Sequence, residues 1–286
     1  MKKEQAAQLK WTGAKARRSA LEMVYRATSG HLGGSFSICE LLATLYFDRM
    51  KIDPTAPKDP NRDRFVLSKG HCTPALYSIL AMRGYFPEEE LGRFRDIDSF
   101  LSGHAEMKHV PGVDMSTGSL GQGLSVSVGM ALAGKMDRKD YRVYVILGDG
   151  EIQEGQIWEA AMAAGNYGLD NLCVIVDNNN IQIDGTIEEI MSPYPIDAKF
   201  EAFGFHVTRC DGHDIMSIDA ALTEAEETKG RPTVVIAKTV KGKGVSFMEN
   251  SNEWHGNDPN KEQYEQAAAE LDRAVEEAGK EAESHE

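Results

Sequence analysis

The 286-residue sequence predicts an α/β fold, a mainly parallel sheet with helices on both faces. Three observations predict it. Short apolar runs at 143–147, 172–176 and 233–237 have the length and continuity of buried parallel strands. Helical stretches alternate with them, so that the first two runs and the stretch 154–167 form a βαβ unit with a right-handed crossover. Finally, the first two runs end in turn-forming clusters, Gly148-Asp149-Gly150-Glu151 and Asp177-Asn178-Asn179-Asn180.

The elements follow in chain order. Residues 5–27 read as a helix, with Leu21, Val24 and Tyr25 at i, i+3, i+4 spacing, stopped by Thr28-Ser29-Gly30. A second helix is predicted over 37–50, where Ser37 and Glu40 have the spacing of a capping box. Further helices are expected at 73–83, 120–137, 214–229 and 260–279. No internal repeat or interdomain linker interrupts the pattern. The expected division is a body over 1–256 and an acidic helix or tail over 257–286. That last segment holds ten acids against three bases and reads as a solvated helix or frayed end.

Thirty-one Lys and Arg face forty-five Asp and Glu, a net charge of −14. Clustered positive charge is what nucleic acids and anionic membranes require, so neither is an expected partner. No apolar stretch approaches the ~20 residues of a membrane span. The charged N-terminus lacks the apolar core of a secretory signal, so the expected location is the cytoplasm. Cys39, Cys72, Cys173 and Cys210 form no CxxC pair and are expected to be reduced and structural.

Ligands of parallel sheets bind beyond the carboxyl ends of the strands. Asp149 and Asn179 lie thirty residues apart, one βαβ unit, so adjacent strands would bring both side chains to the same rim. A carboxylate, an amide oxygen and backbone carbonyls suit a hard cation that keeps some ligands for a phosphate. Either cluster alone reads equally well as a plain turn; their coincidence favours a magnesium–diphosphate site. The glycines beside Asp149 permit close approach of a bulky phosphate.

Five of the eight histidines adjoin a glycine: His31, His71, His104, His213 and His255. Imidazoles on such loops can hydrogen-bond and move protons near neutral pH. His109, His206 and His285 lack this context and read as structural. Neither the Rossmann fingerprint nor Walker A occurs, because Gly118, Gly121 and Gly123 have the wrong order and no GxxxxGK[ST] is present. The basic segment 238–244, KTVKGKG, follows the third strand and suits either a surface loop or an anionic ligand.

Together these motifs resemble the N-terminal half of transketolase, a thiamine-diphosphate enzyme, over residues 10–260. The resemblance rests on SGHLGGS at 29–35, DRFVLSKGH at 63–71, SGHAE at 102–106, PGVDMSTGSLGQG at 111–123, GDGEIQEG at 148–155, DNNNIQIDG at 177–185, KTVKGKG at 238–244 and WHG at 254–256. It implies the diphosphate-binding domain of the thiamine-diphosphate fold. It implies that Asp149, Asn179 and the Ile181 carbonyl hold Mg2+ or Ca2+. His71, Gly150, Lys241, His255 and, less directly, Lys69 would line the diphosphate and thiazolium. Gly118, Ser119 and Leu120 would meet the aminopyrimidine, with Ile183 near the thiazolium. His31, His104 and His255 would face the sugar and exchange protons with it, and Glu154 and Glu159 would lie at a subunit contact.

The family's pyrimidine-binding domain, its glutamate and its phosphate-gripping arginines have no counterpart in this sequence. The resemblance therefore implies the smaller subunit of a split transketolase, completed by a C-terminal subunit in an α2β2 heterotetramer acting on sugar phosphates. The alternatives are a 2-oxoacid dehydrogenase α subunit, a deoxyxylulose-phosphate synthase relative, or a non-catalytic binding protein that keeps the cation site.

Overall fold

The structure is a computed structural model and describes residues 1–284. Strands β1 (Arg64–Leu67), β2 (Val143–Gly148), β3 (Leu172–Asn178), β4 (His206–Asp211) and β5 (Thr233–Lys238) form a parallel sheet in the order β1-β2-β3-β5-β4. The helices are α1 (Lys3–Ala27), α2 (Gly33–Phe36), α3 (Cys39–Thr44), α4 (Thr73–Arg83), α5 (Gln122–Met136), α6 (Gly155–Asn166), α7 (Ile187–Met191), α8 (Ile196–Ala202), α9 (Ile215–Glu227) and α10 (Lys261–Glu283).

Side chains alternate across each strand, and here both faces are apolar. Val143, Val145 and Leu147 join Leu124, Ile157 and Phe200 of α5, α6 and α8 in one core layer. Tyr144 and Ile146 point the other way, into a layer with Leu21, Leu42, Ile79 and Ile218 of α1, α3, α4 and α9. That two-sided burial is why β2, β3 and β5 read as unbroken apolar runs. The predicted helices on both faces are present. All four cysteines are buried, with no disulfide among the described residues.

Two expectations need correction. The predicted helix over 37–50 is broken: α3 starts at Cys39 behind Ile38 without a side-chain cap, and a π-helical turn, Leu45–Arg49, follows it. The capping box fails because both of its side chains are engaged elsewhere. Ser37 Oγ donates to Asp177 at 2.7 Å, and Glu40 pairs with Arg17 at 2.7 Å. The acidic end is also more than a solvated or frayed segment. One stripe of α10, Ala267, Leu271, Ala278 and Ala282, is buried, and the helix lies along α1. Tyr264 stacks on Tyr25 at 3.8 Å, and Asp272 receives Arg18 at 2.8 Å. His285 lies outside the described residues. No helix among the described residues is long and apolar enough to cross a membrane.

Candidate active site

The register of the sheet brings the first two strand ends together. Gly148, the last residue of β2, pairs with Asp177 of β3, so Asp149 leaves the sheet beside the asparagine cluster. Its carboxylate accepts the backbone N–H of Asn180 at 2.5 Å, Nδ2 of Asn178 at 3.1 Å and the N–H of Gly150 at 2.8 Å. Asn180 has a left-handed φ of 66°, which turns the chain at this point. Asn179 Oδ1 in turn accepts the Ile181 N–H at 3.1 Å.

Asp149 and Asn179 border one cleft of about 340 Å³. Gly150, Ile181 and Ile183 line it with them, and so do His31, Lys69, His71, His104, Gly118, Leu120, Lys241 and His255 from distant loops. Ser119 is the exception among the sequence-derived candidates; it is exposed and does not line the cleft, although its neighbours Gly118 and Leu120 do.

The floor of the cleft is a buried network around Asp177. Its carboxylate pairs with Lys69, accepts the hydroxyls of Ser37 and Thr239, and accepts Asn179 Nδ2 at 2.9 Å. Burial alone would lower the Lys69 pKa, but Asp177 outweighs it and raises it. Lys69 Nζ also donates to Gly34 O at 3.0 Å, so its charge is committed within the protein. Asp149 is pushed up to about 6 by burial and by the nearby Asp177 charge, against the hydrogen bonds from Asn180 and Asn178. A cation beside Asp149 would reverse that effect. Burial and the Lys69 charge bring Lys241 down to about 8. Its ammonium donates to Ile181 O at 3.1 Å and to His255 Nδ1 at 2.9 Å.

Four imidazoles from four loops meet above this floor. The His31 ring lies 5.0 Å from His71, 6.1 Å from His104 and 5.5 Å from His255, and His71 lies 5.1 Å from His255. Burial, then neighbouring cations, lowers all of them: His31 to about 4, His255 to about 3, and His71 and His104 below the usual imidazole value. The site thus favours the neutral imidazoles, each of which can accept a hydrogen bond at one ring nitrogen and donate one at the other. His31 Nδ1 is buried without a partner among the described residues. Gly118, at φ 147°, lets the chain pass His104 closely; a Cβ there would lie 3.0 Å from the ring.

The other histidines are placed differently. His109 pairs with Glu106 at the surface, and His206, the first residue of edge strand β4, pairs with Glu224 of α9. His213, despite its glycine neighbour, lies outside the imidazole cluster and bonds to Glu40 and to the Val240 N–H. Sequence reasoning missed Glu151. This buried carboxylate accepts the Ser68 hydroxyl and the N–H groups of Gly121 (2.9 Å) and Gly148 (3.0 Å), clamping two glycine loops together. Its position two residues after Asp149 was visible, but not its partners. Glu154 borders the mouth of the cleft and is exposed, and Glu159 lies on α6 beyond it.

Known proteins resemble this chain in sequence and in fold. Residues 11–277 match the family described as transketolase, thiamine diphosphate binding domain. The chain is 46 % identical to an apulose-4-phosphate transketolase subunit from Phocaeicola vulgatus, over 93 % of this chain and 95 % of that one. It is 48 % identical to 6-deoxy-6-sulfo-D-fructose transketolase subunit SqwG of a Clostridium species, over 90 % and 94 %. Among solved structures, transketolase from Leishmania mexicana superposes with a TM-score of 0.85 at 30 % identity, over 97 % of this chain and 46 % of that one. The chain thus spans slightly less than half of that solved enzyme. With a family match over most of its length and a shared fold, the chain belongs to the transketolase family.

Proposed function

We propose that the chain is the N-terminal, diphosphate-binding subunit of a split transketolase, which moves a two-carbon ketol unit from a ketose to an aldose phosphate. The convergence of Asp149, Asn179, Lys241 and four neutral imidazoles on one cleft carries this reading. The near-complete match to relatives named as transketolase subunits supports it. In this reading residues 1–256 form the cofactor-binding domain, 257–286 an appended acidic helix and tail, and the protein works in the cytoplasm.

The residues fit thiamine diphosphate with a divalent ion. Asp149, Asn179 and the Ile181 carbonyl are an all-oxygen donor set, the kind that Mg2+ or Ca2+ selects. Among the described residues no cationic side chain bonds directly to the buried Asp149 carboxylate, and His31 Nδ1 has no partner. Both are needs a charged ligand would meet. When bound, thiamine diphosphate supplies the electron sink for breaking and making the carbon–carbon bond.

The chain's own residues do the rest. Lys241, His71 and Gly150 would line the diphosphate, and Lys69 braces the floor of the cleft through Asp177. Gly118 and Leu120, with Ser119 between them, would meet the aminopyrimidine, and Ile183 would pack near the thiazolium. Neutral His31, His104 and His255 hydrogen-bond the sugar hydroxyls and hold or pass their protons. A complementary C-terminal subunit supplies the pyrimidine-binding domain and its glutamate, in an α2β2 assembly with Glu154 and Glu159 at the contact. Exposed apolar side chains at the mouth, Leu120 and Ile183, support such a cover. The relatives' names specify sugars with an anionic end, a phosphate or a sulfonate, and a sugar phosphate is proposed for this chain.

The test is to mix the chain with its complementary subunit and compare ketol transfer between sugar phosphates with decarboxylation of pyruvate. Ketol transfer is expected. Decarboxylation alone, or no turnover, overturns the reading.

A further inference from the structure

We propose that His213 is a positioning residue for Lys241: by accepting the Val240 N–H it fixes the turn from which Lys241 enters the cleft. This rests on the site reading proposed above. His213 lies on the loop between β4 and α9, with its ring largely buried. Its Nε2 accepts the Val240 N–H at 2.9 Å and so carries no proton. The proton is therefore on Nδ1, which donates to Glu40 at 3.0 Å.

Glu40 is itself fixed. Arg17 of α1 reaches both its oxygens at 2.7 Å, and the same guanidinium donates to Phe36 O at 3.0 and 3.2 Å. One imidazole is thus held by two helices and hands that rigidity to a backbone N–H on a third segment.

That segment is the turn carrying Lys241. It leaves β5 at Thr239, whose hydroxyl is bound to Asp177, and it bends through Gly242. Gly242 has φ 75°, and a Cβ there would lie 2.2 Å from Met248 O. Its N–H donates to Gly33 O at 3.0 Å. Between Thr239 and Gly242, the Val240 N–H is the backbone group that His213 holds. On the far side of the turn the Lys241 ammonium must stand between Ile181 O and His255, and such placement is lost when the supporting contacts are removed.

The test uses His213→Gln, His213→Asn and His213→Phe in the full chain, assembled with its complementary subunit. Glutamine sets an amide oxygen near the Nε2 position and can still accept the Val240 N–H. Asparagine reaches only as far as Nδ1, toward Glu40, and phenylalanine keeps neither bond. Two quantities are measured: calorimetric affinity for thiamine diphosphate with Mg2+, and amide exchange over 239–245. The asparagine and phenylalanine variants are expected to bind about tenfold more weakly and to exchange faster at 240–242, while glutamine restores both. Equal behaviour of the glutamine and asparagine variants overturns the proposal, and that pair decides even if the phenylalanine variant does not fold. Lys241→Ala separates the two layers of argument. Unchanged affinity there overturns the site reading as well, whereas weakened affinity in Lys241→Ala with normal affinity in His213→Asn overturns the His213 role alone.

Discussion

The Asn180 backbone N–H donates to the Asp149 carboxylate at 2.5 Å, joining the loop after β3 to the loop after β2. With the Asn178 Nδ2 bond to the same carboxylate, it fixes the spacing of the two loops that carry the candidate cation ligands. The contact favours the charged carboxylate, but burial and the Asp177 charge outweigh it and push Asp149 up to about 6.

Asp149→Ala is expected to weaken Mg2+-dependent binding of thiamine diphosphate by about 100-fold or more, since even outer groups of metal sites cost about 10–100-fold when removed. Calorimetry with and without a chelator measures it. Near-normal affinity in the variant would contradict the cation assignment.

His104→Ala should behave differently. Its ring faces His31 at 6.1 Å across the cleft and has no bond to the Asp149 loop or to Lys241 among the described contacts. Turnover is expected to fall about 100-fold while cofactor affinity is kept, the pattern of a group that acts mainly in the transition state. Steady-state ketol transfer and calorimetry on one preparation separate the two quantities; lost affinity with normal turnover would refute the role.

Glu40 predicts an acid-stability limb. Burial would raise its pKa, but Arg17 and His213 outweigh burial and hold it at about 2, below its ordinary 4.5. A depressed folded-state value contributes stability that is fully present above pH 4.5 and is lost as pH falls through about 2. Glu40→Gln should flatten the pH dependence of denaturant midpoints across that window. Glu40→Ala should also cost about 3–5 kcal/mol at pH 7, because it strands a buried guanidinium. A midpoint unchanged at neutral pH would show that the pair carries no weight.

Leu271→Ala tests the docking of α10. Leu271 is 1 % exposed and belongs to the layer built on α1. Truncation is expected to cost about 2–5 kcal/mol of unfolding free energy, as for other buried leucines. A frayed helix would lose almost nothing.

Much of the fold was legible because β2, β3 and β5 are central strands with both faces buried, so their apolar runs stand out. β4 escaped notice for the opposite reason. It is an edge strand reading HVTRCD, and only Cys210 on it is buried. β1 has four residues, too few to show a period. In α10 the stripe Ala267, Leu271, Ala278 and Ala282 was present, but it is made chiefly of alanines among many glutamates, and the charge dominated the reading. The candidate site was legible wherever glycine or asparagine marks a strand end. Asp177 and Glu151 were not, since their roles come from Lys69 and Ser68, which meet them only through the fold.

His31 and His255 come from opposite ends of the chain, yet their rings stand 5.5 Å apart. The pocket is therefore complete only after the last loop has closed on the first, and a half-folded chain has no ligand site at all. Anything that binds there recognises finished molecules selectively and raises their melting temperature as its concentration rises. In a cell, vitamin supply would then govern how long this protein persists as well as how fast it works.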